Sequence, residues 1–136
     1  HKRELERLDA FLATRKNKFT IVCGHYPLVS NGLYDMNEDI RNAIVPILDK
    51  HQANAYIAGH EHSLEHTQLR LQSGHLLDHM ITGASSEARP MSIRRFPGWV
   101  HAGLGNLAVE ADGNTVEFIF SDPSGKVLHR FSRKGA

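Results

Sequence analysis

The chain has 136 residues, ten of them histidine, and its formal net charge is only +1 with histidine neutral. This near balance excludes a strong global attraction for nucleic acid or for an acidic membrane surface. Hydrophobic residues make up 40% of the chain and charged residues 23%, which is typical of a globular protein. The single cysteine excludes an internal disulfide. Histidine is the compositional outlier. The question is whether the histidines are spread over the molecule or grouped at one functional site.

The first half of the chain predicts helix, strand, helix and strand in that order. Residues 2–14 carry an amphipathic helical pattern, and residues 19–23 form a β-branched apolar run typical of a buried strand. Asn37 is a good N-cap for a second helix, which Pro46 should kink or restart. A second short strand covers residues 55–58. Such a unit normally forms parallel strands joined by a right-handed crossover.

The second half predicts short strands separated by turns. The strand-like runs cover residues 64–71, 75–81, 104–110, 115–121 and 126–132. Turn-forming residues separate the last three runs, which we expect to form an antiparallel meander. Residues 83–103 predict a long loop, and such loops are often functional. The predicted fold class is therefore α/β (mixed α+β), with a βαβ unit followed by a meander.

Two predicted strands end in glycine followed by histidine. Gly24-His25 follows the first strand, and Gly59-His60 follows the second, with His62 two residues further on. Because the carboxyl ends of neighbouring parallel strands meet at one edge, we expect these three imidazoles at one rim of the sheet. Histidine is a common ligand for zinc and iron. We therefore predict that His25, His60 and His62 bind metal.

The other seven histidines have weaker claims to a site. We expect them on strands at the surface or facing a neighbouring strand (His66, His75, His79), at a helix end (His51), in or near the long loop (His101), or in solvent (His1, His129). Three imidazoles do not complete a two-metal hydrolytic site, which usually needs carboxylates between the ions. The seven aspartates show no ligand spacing, and we assign no catalytic residue to this chain.

Two motifs carry a family resemblance. Residues 21–27, Ile-Val-Cys-Gly-His-Tyr-Pro, and residues 55–62, Ala-Tyr-Ile-Ala-Gly-His-Glu-His, resemble the carboxyl-terminal half of metallophosphoesterases and are most similar to purple, or tartrate-resistant, acid phosphatases. Pro46, Gly83-Ala84 and residues 105–110 fit the same pattern. The resemblance implies half of a β-sandwich flanked by helices. It also implies that residues 1–136 are the carboxyl-terminal half of one calcineurin-like metallophosphoesterase domain.

The same resemblance implies an acid phosphatase-like, metal-dependent phosphomonoester hydrolase with a phosphate ester substrate. His25 and His60 would hold a divalent iron, zinc or manganese ion, and His62 would hold a ferric iron. The family's aspartates, asparagine, iron-bound tyrosine and catalytic histidine lie in the amino-terminal half. We expect that half as a missing partner, with a second polypeptide of a cleaved enzyme as one alternative, and we predict that the isolated chain is inactive. The family also implies a secreted or otherwise extracytoplasmic location.

One position departs from the family pattern. Animal members have a pocket histidine nine residues after the histidine of Gly-His-Tyr-Pro, and here that position is Tyr34. Tyr34 either hydrogen-bonds a phosphate or leaving group, as a substrate-binding residue, or packs on its loop neighbours.

Two other functions compete with the hydrolase. The first is a non-catalytic pseudo-phosphatase or binding module on the same fold. The second is a single-zinc hydrolase of the metallo-β-lactamase type, which needs His-x-His-x-Asp-His. This chain has His-Glu-His-Ser-Leu-Glu-His from His60, so the acid is a glutamate and falls one residue late.

Overall fold

The computed structural model describes residues 1–34, 36–91 and 95–135. Two helices and eight strands lie within them: α1 Lys2–Thr14, β1 Ile21–Gly24, α2 Glu38–Lys50, β2 Ala55–Ala58, β3 Leu64–Arg70, β4 Leu76–Thr82, β5 Trp99–His101, β6 Asn106–Asp112, β7 Thr115–Ser121 and β8 Val127–Lys134. The strands form one sheet in the order β1-β2-β4-β3-β5 and a second in the order β6-β7-β8. The predicted mixed α/β class is confirmed.

The βαβ unit forms as its sequence pattern predicts. Strands β1 and β2 are parallel neighbours, with Ile21 opposite Ala55 and Gly24 opposite Ala58. Strand β4 adds in parallel to β2, and β3 pairs with β4 in the antiparallel sense. The carboxyl ends of β1 and β2 therefore lie side by side. The last three strands form the predicted antiparallel meander.

Helix α2 begins directly after Asn37, the predicted N-cap residue. The side chain of Asn37 accepts a hydrogen bond of 3.1 Å from the backbone N–H of Ile40, which satisfies a donor that the first helical turn leaves open. The helix then runs through Pro46 to Lys50 as one element, so the expected restart at Pro46 does not occur. The buried side chains of Ile44 and Leu48 on either side of the proline explain this, because their packing holds the helix against the sheet.

The five-stranded sheet is apolar on both faces. Tyr56 packs with Leu12 and Leu48 in the cluster under the helices. Its neighbour Ala55 faces the opposite way and packs with Phe118 of the second sheet, as the alternation along a strand requires. The sheet therefore lies in the middle of the molecule. The ends of its strands form two rims, which the two packed faces leave uncovered. Neither helix within the described ranges is long and apolar enough to cross a bilayer.

The long loop predicted over residues 83–103 contains a strand. Strand β5 pairs with the start of β3, so that Leu64 lies opposite His101 and His66 lies opposite Trp99. Three residues are too few to show a strand periodicity, which explains why the sequence pattern missed it. Residues 92–94 of the predicted loop lie outside the described residues.

Two histidines differ from their expected surroundings. His79, expected at the surface or facing a neighbouring strand, does face other strands but is completely enclosed, and its Nε2 accepts a 3.0 Å hydrogen bond from the backbone N–H of Leu28. His129, expected in solvent, is partly buried, with Nε2 3.0 Å from Nδ1 of His66. The expectation of a solvated His129 is therefore wrong, because packing of the second sheet on the first covers its ring.

Candidate metal and phosphate site

The structure brings His25 and His60 together at the carboxyl ends of β1 and β2. The backbone N–H of Gly59 donates a 3.1 Å hydrogen bond to the carbonyl oxygen of His25, which ties the two strand ends. Nε2 of His25 then lies 3.3 Å from Nδ1 of His60. His60 adopts a φ of 61°, in the left-handed region that residues other than glycine rarely occupy. This strained turn directs the chain across the rim immediately after the strand.

Gly24 is needed because of a close approach beneath the turn. A Cβ atom added there would lie 2.1 Å from the hydroxyl oxygen of Tyr56. That hydroxyl donates a 2.9 Å hydrogen bond to the carbonyl oxygen of Tyr26. The motif's glycine therefore makes room for a tyrosine that supports the turn carrying His25. A positive φ is not the reason, because Gly24 is not among the glycines that have one.

His62 does not join the other two predicted ligands in a three-residue metal-binding group among the described residues. Its Nδ1 is buried and has no hydrogen-bond partner among the residues described. The nearest carboxylate oxygen recorded for it is Oε2 of Glu87, at 3.4 Å, a distance that allows charge attraction without a well-formed hydrogen bond. Across the described ranges, no three histidine, cysteine, aspartate or glutamate side chains form a group able to hold a metal ion.

The ring of Tyr34 contacts this rim beside His60 and His62. Its ring centroid lies 4.8 Å from that of His60 and 6.3 Å from that of His62. The guanidinium carbon of Arg89 lies 5.0 Å from the centre of the same ring, within the range of a cation–π contact. The backbone N–H of Arg89 also donates a 2.9 Å hydrogen bond to the carbonyl oxygen of His62. Arg89, which the sequence did not single out, therefore belongs to this rim together with Glu87, whose carboxylate oxygen lies 3.4 Å from its Nε.

Two buried carboxylates hold the loop that carries Tyr34. Glu61 accepts a 2.7 Å hydrogen bond from the backbone N–H of Tyr34. Glu65 accepts hydrogen bonds from the backbone N–H of Asn31, at 3.0 Å, and from the hydroxyls of Ser30 and Ser63. Burial raises the pKa of both carboxyl groups, and the hydrogen bonds act in the opposite direction. These two glutamates position the loop. In the sequence, the one feature that indicates this role is the presence of an acidic residue next to a predicted buried strand.

The nitrogen donors suit a transition metal. Two ring nitrogens that bind one tetrahedral zinc at about 2.0–2.1 Å lie roughly 3.3 Å apart, and His25 and His60 present nitrogens 3.3 Å apart. Burial, and then the nearby His25 and His62, lower the pKa of His60 and so favour the neutral ring that metal binding requires. The buried Nδ1 of His62 lacks a partner in the described chain and is a further available donor.

Comparisons with known proteins place these motifs in a family context. No family model matches the chain. It is 26% identical to purple acid phosphatase 7 of Arabidopsis thaliana over 94% of its length, and 30% identical to tartrate-resistant acid phosphatase type 5 of Sus scrofa over 88%. The chain spans only 39% and 37% of these two relatives, respectively.

Solved structures share the fold. Purple acid phosphatase PPD1 from yellow lupin seeds matches with a TM-score of 0.79 at 14% identity, over 95% of this chain and 28% of that one. GAP50, described as the anchor in the inner membrane complex of Plasmodium, matches with a TM-score of 0.84 at 19% identity, over 100% of this chain and 43% of that one. Sequence and fold together confirm the predicted resemblance: this chain is similar, over nearly its whole length, to the carboxyl-terminal part of a metallophosphoesterase of the purple acid phosphatase type.

Proposed function

We propose that this chain supplies the histidine ligands of a dinuclear metal centre in an acid phosphatase-like phosphomonoester hydrolase. The observation that carries the proposal is the 3.3 Å separation of the ring nitrogens of His25 and His60 at adjacent strand ends. These two histidines would hold a divalent iron, zinc or manganese ion, and His62 would hold a ferric iron. Similarity to purple acid phosphatases supports this choice of metals.

The chain's own residues have defined tasks in this proposal. The metal pair, when bound, supplies Lewis-acid stabilisation of charge on the phosphoryl group. The hydrogen bond from Gly59 to His25 keeps the two strand ends, and so the two imidazoles, at a constant separation. Tyr34, whose ring lies near those of His60 and His62, would donate a hydrogen bond from its hydroxyl to a phosphate ester. The guanidinium of Arg89, which lies 5.0 Å from the centre of the Tyr34 ring and is paired with Glu87, would offer hydrogen-bond donors to the anionic substrate.

The missing carboxylates belong to a partner segment in this proposal. Between Ile21 of β1 and Val109 of β6 lies an open gap of about 420 Å³, partly lined by the apolar side chains of Phe19 and Val116. Within the described ranges β1 pairs only with β2, and β6 pairs only with β7. The amino-terminal half of the domain, on the same or a second polypeptide, would cover this gap and add the bridging ligands. An extracytoplasmic location also remains part of the proposal.

Metal content and turnover test the ligand assignment. In protein that contains both halves, we expect His25→Ala and His60→Ala each to lose one bound ion and to reduce aryl phosphate hydrolysis by more than about 100-fold, because changes even to outer-shell partners cost 10–100-fold. His1→Ala, which removes an exposed imidazole, is the matched control. Unchanged metal stoichiometry in the two site variants would reject the assignment. Appreciable turnover by residues 1–136 alone would contradict the need for a partner segment.

A non-catalytic binding module is the second candidate. The described residues bring no three metal-binding side chains together, and Tyr34 stands where animal members of the family have a pocket histidine. The fold similarity to the Plasmodium anchor protein supports this candidate as well. It predicts that the complete, folded protein binds fewer than two metal ions and does not hydrolyse aryl phosphates. The same elemental analysis therefore separates the two candidates.

A further inference from the structure

We infer that a basic groove at the opposite end of the sheet binds a multiply phosphorylated ligand. The groove has a volume of about 680 Å³, which lies in the range of small-molecule sites. It opens where the chain enters β1, β2 and β4, whereas His25 and His60 follow the other ends of β1 and β2. None of the three predicted metal ligands lines it. Lys16 and Lys18 also line the gap between β1 and β6 that the proposed partner segment would cover, so the groove is tested in protein that contains both halves.

Four cationic side chains converge on this groove. Arg15, Lys16 and Lys18 come from the connection between α1 and β1, and Lys50 comes from the last turn of α2. No carboxylate side chain belongs to the lining as described. Like charges held around one concave surface repel each other and create a local positive potential. An anion in the groove therefore gains attraction from several side chains at once.

One carboxylate, Asp9, is paired with lining residues at the edge of the groove. Asp9 accepts hydrogen bonds from Nζ of Lys50 at 2.9 and 3.0 Å, and Nε2 of His51 lies 2.5 Å from it. The hydrogen bonds from His51 and then Lys50 lower the pKa of Asp9, so it remains ionised near neutral pH. Four cations against one carboxylate leave an excess of three positive charges. Arg15, Lys16 and Lys18 carry that excess.

Hydrogen bonds order the floor of the groove before any ligand arrives. The guanidinium of Arg15 donates to the hydroxyl of Thr20. The backbone N–H of Thr20 donates a 2.8 Å hydrogen bond to Oδ1 of Asn54. Nε2 of His75 lies 2.6 Å from the carbonyl oxygen of Ala53, so that nitrogen must carry the proton. Such ordering lowers the entropy lost on binding, while the exposed lysines can still adjust to the ligand.

The donor set identifies the ligand class. A planar guanidinium combined with ammonium groups is typical of phosphate recognition. Three excess charges exceed what one phosphate group neutralises, which favours a ligand with two or more phosphates. This chemistry is shared by soluble polyphosphorylated molecules and by the headgroups of phosphoinositide lipids. The two sources differ only in whether a bilayer accompanies the phosphates.

Binding measurements on the full-length protein test the groove. Inositol hexakisphosphate is titrated calorimetrically at physiological ionic strength, and flotation is measured with phosphatidylcholine vesicles that contain or lack phosphatidylinositol 4,5-bisphosphate. The variant Lys16→Glu/Lys18→Glu reverses two charges in the groove. The control Lys2→Glu/Lys126→Glu makes the same charge change outside its lining. Unchanged circular dichroism and metal content in both variants confirm that fold and metal binding are intact.

The expected result is saturable binding by the wild type, weakened at least about tenfold in the groove variant and less than about twofold in the control. Binding of the soluble probe without vesicle flotation supports a soluble ligand, and flotation that requires the phosphoinositide supports a headgroup. Absence of saturable binding to either probe would overturn the inference. Equal weakening in the groove and control variants would overturn it too, because it would reduce the effect to net charge.

Discussion

The buried imidazole of His79 should make the protein lose stability in mild acid. The side chain is only 1% exposed. Its Nε2 accepts a 3.0 Å hydrogen bond from the backbone N–H of Leu28, so that nitrogen cannot carry a proton in the folded state. Burial, and to a lesser extent the nearby His66 and Arg41, lower its pKa from 6.5 to about 3.

The direction of the effect follows from this lowered pKa. Above pH 6.5 the imidazole of His79 is neutral in both states, so the folded state has its full stability. As the pH falls below 6.5, the unfolded chain binds a proton that the folded protein does not. Each pH unit then lowers the free energy of unfolding by about 1.4 kcal/mol. Down to a folded pKa of about 3, the loss reaches roughly 5 kcal/mol, as large as the whole stability of a marginal domain.

Urea unfolding at several pH values measures this loss. His79→Gln is the informative variant, because glutamine can accept the Leu28 hydrogen bond and does not titrate. Between pH 7 and pH 5, the wild type should lose about 2 kcal/mol more unfolding free energy than the variant. His1→Gln, which removes an exposed imidazole, should leave the wild-type slope unchanged. Parallel curves for the wild type and His79→Gln would refute the reasoning, since they would show that His79 does not control the acid response.

Two further predictions concern the supports of the candidate site. Gly24→Ala places a methyl group 2.1 Å from the Tyr56 hydroxyl, so it should cost about 1–3 kcal/mol in chemical denaturation. Adding Tyr56→Phe should recover part of that loss, and strictly additive costs would argue against the clash. Glu65→Ala removes the acceptor for the backbone N–H of Asn31, so hydrogen–deuterium exchange should rise in residues 30–34. Unchanged exchange there would show that the carboxylate does not hold the loop.

The helices, strands and turns could be predicted from the sequence because their determinants are local. The apolar period and the Asn37 cap identify α2, and turn residues separate the strands of the meander. The meeting of His25 with His60 was predictable too. Each follows a strand of one βαβ unit, and parallel strands bring their carboxyl ends to one rim. Local pattern and a simple topological rule were sufficient for both results.

The tertiary structure decided what surrounds those elements. It showed that Glu65 is buried against residues 30–31, that Gly24 makes room for Tyr56, and that the buried Nδ1 of His62 has no hydrogen-bond partner among the described residues. Burial and hydrogen-bond partners depend on residues some thirty positions away in the chain, and no local pattern records them. The basic groove could not be predicted from the small net charge either, because net charge carries no information on which residues folding brings together. The net charge adds all cations and carboxylates of the sequence, and it does not record that four of the cations line one groove.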